Sequence, residues 1–249
     1  MATKIYYFSA TGNCLSTAKK AATYYDECEL MDVVSLKDED VIEVDSDIVG
    51  IVCPVYYGTS AYLMMEAIRK MAFKQKSYIF LLTTCKGHTG VVANRVDRIL
   101  KDKGQSLSIT RNIIMPGNSW ISTPEENEER LASQNENIKM AMKDIIAKVV
   151  EDYTSEEAFK DTPVDYPNNF RGIMADETCI GCGTCVRVCP MNNIELKEGK
   201  AIIHDTCITC LRCFHWCPKE SIYMSKEENV ARRFKYHHPE VKVIDFFKK

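Results

Sequence analysis

The 249-residue chain has almost no net charge, no long apolar run and no leader-like start. Thirty-two basic residues against 35 acidic ones leave a formal charge of −3, which gives no electrostatic case for binding nucleic acid. No stretch stays apolar long enough to span a bilayer, so no membrane association is expected. The first residues lack the basic start, apolar core and small-residue cleavage site of a signal peptide, and the expected location is cytoplasmic. The five histidines, His88, His204, His215, His237 and His238, share no spacing with carboxylates or with each other. The His237–His238 pair near the end reads as surface.

Cysteine is what the chain has in excess. There are 12, and eight lie between Cys179 and Cys217. Disulfide scaffolds are usually short and secreted. Cysteine as a metal or cluster ligand in a reducing compartment fits this chain better.

Up to about Tyr153 the hydrophobic pattern alternates between strand and helix. "KIYYFS" is an apolar strand, followed by a helix over Asn13 to Tyr24. "CELMDVVS" is a second strand, and "DIVGIVCPVY" a third, whose near-continuous apolar run suits burial on both faces. "SAYLMMEAIRKMA" reads as helix, "SYIFLLTT" as strand, "VANRVDRILKDK" as helix and "SLSITRNIIMPG" as a fifth strand. One long helix from "PEENEER" to "EDY" closes the segment. This alternation predicts an α/β domain, a parallel sheet with helices on both faces and right-handed crossovers. The domain boundaries are 1–153, a polar linker at 154–171, a cysteine-rich segment at 172–226 and a C-terminal extension at 227–249.

The cysteine-rich segment repeats itself. "TCIGCGTCVRVCPMNNI" begins at Thr178 and "TCITCLRCFHWCPKESI" at Thr206. Every cysteine, the proline and the final isoleucine coincide, which predicts two similar loops related by a local two-fold. Each half reads C-x2-C-x2-C-x3-C-P. In such a run three thiolates wrap one cluster, and the proline-flanked fourth reaches the other. Cys179, Cys182 and Cys185 therefore pair with Cys217, and Cys207, Cys210 and Cys213 pair with Cys189, which gives two [4Fe-4S] clusters. Zinc sites use separated C-x2-C pairs, and this run does not suit them. The segment resembles the bacterial two-cluster ferredoxins, a small α+β fold. Gly181 and Gly183 in the first half let backbone come close to sulfur. The second half has Thr209 and Leu211 there, with His215 and Trp216 before its last cysteine, so the two clusters are expected to differ in potential.

The turn after the first strand carries Ser9, Thr11, Gly12 and Asn13, with Ser16 one turn into the helix. Hydroxyls and backbone N–H groups at a strand–helix junction make an anion site. "FSATGNC" resembles the flavodoxin loop for the FMN phosphate, S/T-x-T-G-N-T. Cys14 replaces the usual threonine, which leaves one hydroxyl contact open while its N–H can still donate. The resemblance implies a doubly wound five-stranded parallel sheet in the order 2-1-3-4-5. It also implies flavin contacts from two further loops: Pro54, Val55, Tyr56, Tyr57 and Gly58 after the third strand, and Thr84, Cys85, Lys86 and Gly87 after the fourth. Either tyrosine is a candidate to stack on the flavin, or to pack ordinarily. A cation at Lys86 favours reduced, anionic flavin. Asn118, after the fifth strand, lies at the same edge. NAD binding is disfavoured, since no G-x-G-x-x-G occupies the first turn and no acidic residue cleanly ends the second strand. Cys28 and Cys53 read as small strand hydrophobes. Cys85 stands where a redox role or plain packing is open.

Together the halves resemble the fused flavodoxin–ferredoxin proteins of anaerobic bacteria and archaea. That resemblance implies FMN and two [4Fe-4S] clusters on one cytoplasmic electron carrier, serving redox partner proteins. The alternative is an FMN-dependent reductase of a small substrate supplied by the clusters. No acid/base pair or substrate motif declares itself for the second. The basic extension is expected either to fold back over the "PEENEER" helix or to end in solvent.

Overall fold

Five parallel strands organise the first part of the chain. They are β1 (Thr3–Tyr7), β2 (Cys28–Asp32), β3 (Ile48–Tyr56), β4 (Tyr78–Cys85) and β5 (Leu107–Ile114), hydrogen-bonded in the order β2-β1-β3-β4-β5. This computed structural model describes residues 2–56, 58–117, 123–153, 172–225 and 235–247. Tyr57, Asn118 and the 154–171 linker lie outside the described residues, as do Lys226 and 227–234 of the extension. The chain divides into two units. One comprises Met1–Ser9, Asn13–Pro116 and Glu125–Asp161; the other comprises Ala10–Gly12, Gly117–Pro124 and Thr162–Lys249.

In the first unit β3 is central and almost wholly buried, as its unbroken apolar run predicts. Each Val, Ile or Leu so buried contributes about 1.5–3 kcal/mol. Gly50 sits in register between Ile5 and Phe80. A Cβ there would lie 2.4 Å from Phe80 Cζ and 2.9 Å from Ile5 Cγ1, so the glycine makes room for the phenyl ring on that face. A short strand, Thr59–Ser60, turns back antiparallel on the end of β3.

The helices are α1 (Asn13–Ala22), α2 (Tyr62–Lys70), α3 (Val92–Lys101) and α4 (Pro124–Ile146). Glu125 and Glu126 open α4, and Lys143 lies in its last turn, which suits the helix dipole. The expected long helix stops seven residues short of Tyr153. Lys148 turns left-handed (φ 57°), and the chain then runs along the outer edge of β5. Glu151 N donates to Ser108 O at 2.8 Å, and Thr110 N donates to Tyr153 Oη at 2.6 Å. Arg111 holds this return through Asp144 (Nε–Oδ2 2.9 Å) and Glu151 (2.8 Å). Covering an open edge outweighs the helical pattern of "AKVVEDY".

The second unit has a two-fold internal relation with an offset of 28 residues. β7 (Ile194–Lys197) pairs antiparallel with β8 (Lys200–Ile203), and β9 (Ile222–Met224) pairs with β6 (Ile173–Ala175). Ile194↔Ile203 in the β7–β8 hairpin matches Ile222↔Ala175 in the β9–β6 pair. The polar ties match too. Asn193 Oδ1 accepts from Thr206 Oγ1 at 2.5 Å, and Thr178 and Ser221 hydroxyls stand 2.8 Å apart. Two short helices, α5 (Thr184–Val188) and α6 (Arg212–His215), carry the third cysteine of each run, Cys185 and Cys213.

Candidate functional site

β1 is flanked by β2 on one side and β3 on the other. The chain reverses its direction of winding there, so the carboxyl ends of β1 and β3 open a crevice of the kind that binds ligands in α/β sheets. The Ser9–Asn13 turn stands at that point. Ser9, Thr11 and Asn13 are buried, and α1 begins at Asn13 with no acidic residue in its first turn. A phosphate at this helix N-terminus would meet hydroxyls and N–H groups without an opposing carboxylate, so the residues present fit such a group.

Two side chains of this turn are already engaged. Asn13 Nδ2 donates to Pro116 O at 2.8 Å, tying the turn to the end of β5. Cys14 Sγ lies 3.1 Å from Thr84 Oγ1. Burial, eased by that contact, drives the Cys14 thiol far above its ordinary range. The structure therefore gives Cys14 a core tie where the loop pattern has a hydroxyl for the phosphate, and it occupies Thr84 the same way.

In the first unit the segment leading into α3 touches the loop after β3 at Gly58. Val91 N donates to Gly58 O at 2.9 Å, and a Cβ on Gly90 (φ +57°) would lie 2.3 Å from Gly58 Cα. Gly90 was not singled out by the loop resemblance, although a glycine two residues before a helix is a visible signal. Tyr56 is 8% exposed, and Pro54 is paired within the sheet opposite Thr84. Val55 is half-buried and pairs with Ser60. Cys85 Sγ donates to Asn112 Oδ1 at 3.2 Å, an acceptor it shares with Thr83; burial pushes its thiol up. Lys86 is half-buried, and its ammonium is 3.7 Å from Glu126, so part of the expected cation effect is spent on that carboxylate. Gly87 is exposed, with open space where a Cβ would be.

The second unit gathers the eight repeat thiols crosswise. The thiols neighbouring Cys185 are Cys179, Cys217 and Cys182. Cys210 has Arg212 beside it, with Cys189 and Cys207 as its neighbouring thiols. Cys189, Cys207, Cys210 and Cys213 line one largely apolar pocket with Ile173 and Ile208. Among the described residues no three His, Cys, Asp or Glu side chains converge as ligands of a single ion. Burial pushes four of the thiols up: Cys207, Cys185 to about 11, Cys210 to about 12, and Cys213 higher. Such thiols ionise only when a metal supplies the compensating charge. Backbone N–H groups already face two of the sulfurs, Asn193 N to Cys189 and Thr209 N to Cys207, both at 3.4 Å. Iron–sulfur ligation fits this donor set.

The halves differ in exposure. Cys182 is exposed, and Cys179 and Cys217 are half-buried, whereas Cys189, Cys210 and Cys213 are buried. The bonds at Thr184 hold Cys182 below its usual thiol range. One glycine of the first half also has a packing role. Gly181 (φ +64°) packs on the second turn of its own domain, where a Cβ would lie 2.5 Å from Gly199 O. Thr209 and Leu211 hold the matching left-handed positions (φ 52° and 61°) at the cost that side chains bring there.

The described part of the extension, 235–247, docks on the cluster segment instead of ending in solvent. Trp216 stacks on His237 (centroids 4.4 Å, 15°) and tilts against Phe246. His238, expected at the surface, is 1% exposed. Ala10–Gly12 belong to this unit, and there His238 N donates to Thr11 O at 2.7 Å and Trp216 Nε1 to Ala10 O at 2.8 Å. Gly12 (φ +100°) is a glycine because a Cβ would meet His238 Cβ at 2.9 Å. No pattern in the sequence marked Trp216 or His238 for this.

Residues 159–222 match the family described as "4Fe-4S dicluster domain". Ferredoxin-2 of Desulfomicrobium norvegicum is 53% identical over 30 residues, 12% of this chain. The match spans about half of that relative, 51% of its length. Among solved structures, RosB with a bound riboflavin-phosphate intermediate aligns over 57% of this chain and 76% of its own, at 15% identity and TM-score 0.42. A flavodoxin from the domain Archaea aligns over 57% and 99%, at 10% identity and TM-score 0.32. The doubly wound fold follows from the strand order β2-β1-β3-β4-β5 and its switch point at β1.

Proposed function

For a chain that joins a flavodoxin-like domain to a 4Fe-4S dicluster domain, we propose electron transfer between two [4Fe-4S] clusters and an FMN. The observation that carries this reading is the crosswise grouping of the eight thiols on a chain that also holds the switch-point crevice. When bound, the clusters supply one-electron steps and the flavin supplies one- or two-electron capacity. The residues' work is to hold these groups and set their surroundings. Cys179, Cys182, Cys185 and Cys217 hold one cluster; Cys189, Cys207, Cys210 and Cys213 hold the other. Ser9, Thr11 and the N–H groups at Gly12 to Cys14 receive the phosphate, Asn13 keeps that turn fastened to Pro116, and the loops at Pro54–Gly58 and Thr84–Gly87 flank the ring. No disulfide joins any of the twelve cysteines, which supports a reducing, cytoplasmic setting. No described helix is long and apolar enough to cross a membrane. Partners are redox proteins that give or take single electrons.

The test is anaerobic. Purified protein should carry one FMN, and about eight irons with about eight labile sulfides, as two cubanes require. Reduction of the clusters should be followed by flavin reduction at a rate independent of protein concentration, because a linker of about twenty residues holds its ends at millimolar effective concentration. Zinc without sulfide, or a protein that takes up no FMN, overturns the reading. A rate proportional to protein concentration makes the transfer intermolecular.

A further inference from the structure

Three consecutive residues of the extension are pinned one by one onto the three residues between Cys213 and Cys217. Lys235 Nζ lies 3.2 Å from the centroid of the Phe214 ring. Tyr236 N donates to His215 Nδ1 at 3.1 Å. His237 stacks on Trp216. Lys235 Nζ also donates to Ile222 O at 2.8 Å, so its ammonium is fixed at both ends of the Cys217 loop. The side chain is half-buried. Burial lowers the ammonium's pKa to about 8, so it stays mostly charged at neutral pH, and the charged groups that oppose this shift are Cys217, Glu220, Cys213 and Asp176.

We propose that Lys235 sets the reduction potential of the cluster held by Cys179, Cys182, Cys185 and Cys217, raising it by placing a fixed positive charge beside the Cys217 ligand. The inference rests on the cluster reading above. Adding one electron from an external donor makes a four-thiolate cluster more negative by one charge, and no bond or proton need move. A cation nearby stabilises the more negative state more than the less negative one. Its effect is large because the site is partly withdrawn from water. Cys213, a ligand of the other cluster, feels the same ammonium more weakly, so that cluster should respond less. The role is one of tuning; Lys235 donates to a carbonyl and faces a ring, and it ligates nothing.

The experiment is an anaerobic redox titration read by EPR on the full chain, with iron and sulfide counted for each variant. Lys235→Met should make one of the two one-electron steps harder by roughly tenfold in the reduced-to-oxidised ratio at fixed potential, a shift of about 59 mV to lower potential. Lys235→Arg, which keeps the charge, should stay near the parent. Lys242→Met removes the same charge from an exposed site in the extension and should move neither step. Full clusters in Lys235→Met with both potentials unchanged overturn the proposal, as does an equal shift from Lys242→Met. If Lys235→Met loses its clusters, Lys235→Gln is titrated under the same criteria. A parent protein without iron and sulfide would instead refute the cluster reading itself.

Discussion

Gly181→Ala tests whether the first cysteine loop is shaped by backbone packing. The residue sits at φ +64°, and its Cβ would lie 2.5 Å from Gly199 O and 3.1 Å from Gly199 C. The left-handed conformation alone costs an alanine about 1–2 kcal/mol. The obstacle is backbone in a tight hairpin, so relief requires the β7–β8 turn to shift, at a cost of about 1–3 kcal/mol by analogy with overpacking. The sum, about 2–5 kcal/mol, falls on the loop that places Cys179 and Cys182. The matching position of the second half gives the control. Thr209 already holds φ 52°, so Thr209→Gly relieves strain while losing a small buried side chain, and its effect should stay within about 1 kcal/mol. Guanidinium titration of the anaerobic holoprotein, followed by the visible absorbance of the clusters, should show a clear loss for Gly181→Ala and little change for Thr209→Gly. Equal stability of Gly181→Ala and the parent would refute the claim that Gly199 sets this position.

Cys217→Ala should halve the iron and remove the cluster of Cys179, Cys182 and Cys185, while Cys189→Ala should remove the other; EPR of the reduced variants showing the reverse would reject the crossed pairing. Thr11→Val should weaken FMN by about 1.5–3 kcal/mol, the worth of a hydrogen bond to a charged group, and leave riboflavin nearly unchanged. Asn13→Ala, which frees the turn from Pro116 O, should weaken both ligands in titration calorimetry. At Glu151 burial raises the carboxyl pKa, but the bonds from Tyr153 and Arg111 outweigh it and hold the value below 4.5. A depressed carboxylate contributes stability above its unfolded pKa and loses it as pH falls through the folded one. Thermal melts should therefore show that Glu151→Gln costs stability at neutral pH and that the difference from the parent shrinks as pH drops below about 4.5.

The cysteine spacing carried its own geometry. A run of C-x2-C-x2-C-x3-C-P written twice is local information, because a few intervening residues limit which thiols can share a cluster, and the crosswise pairing is the expectation that spacing sets. The strand order was legible through the alternation of elements and the resemblance of "FSATGNC", since a parallel sheet must put helices between its strands. Distant packing decided the rest. Cys14 turned to Thr84 because an apolar thiol beneath a sheet is better buried than solvated. The last residues before Tyr153 left the helix because β5 had an open edge and Arg111 had two carboxylates to hold. Gly181 and Gly12 are glycines because of residues 18 and 226 positions away that no local pattern connects to them. Lys235 and Trp216 acquired their neighbours in the same way: a basic, aromatic tail has no periodicity that says where it lies, and only the folded chain brought it onto the loop of Cys217.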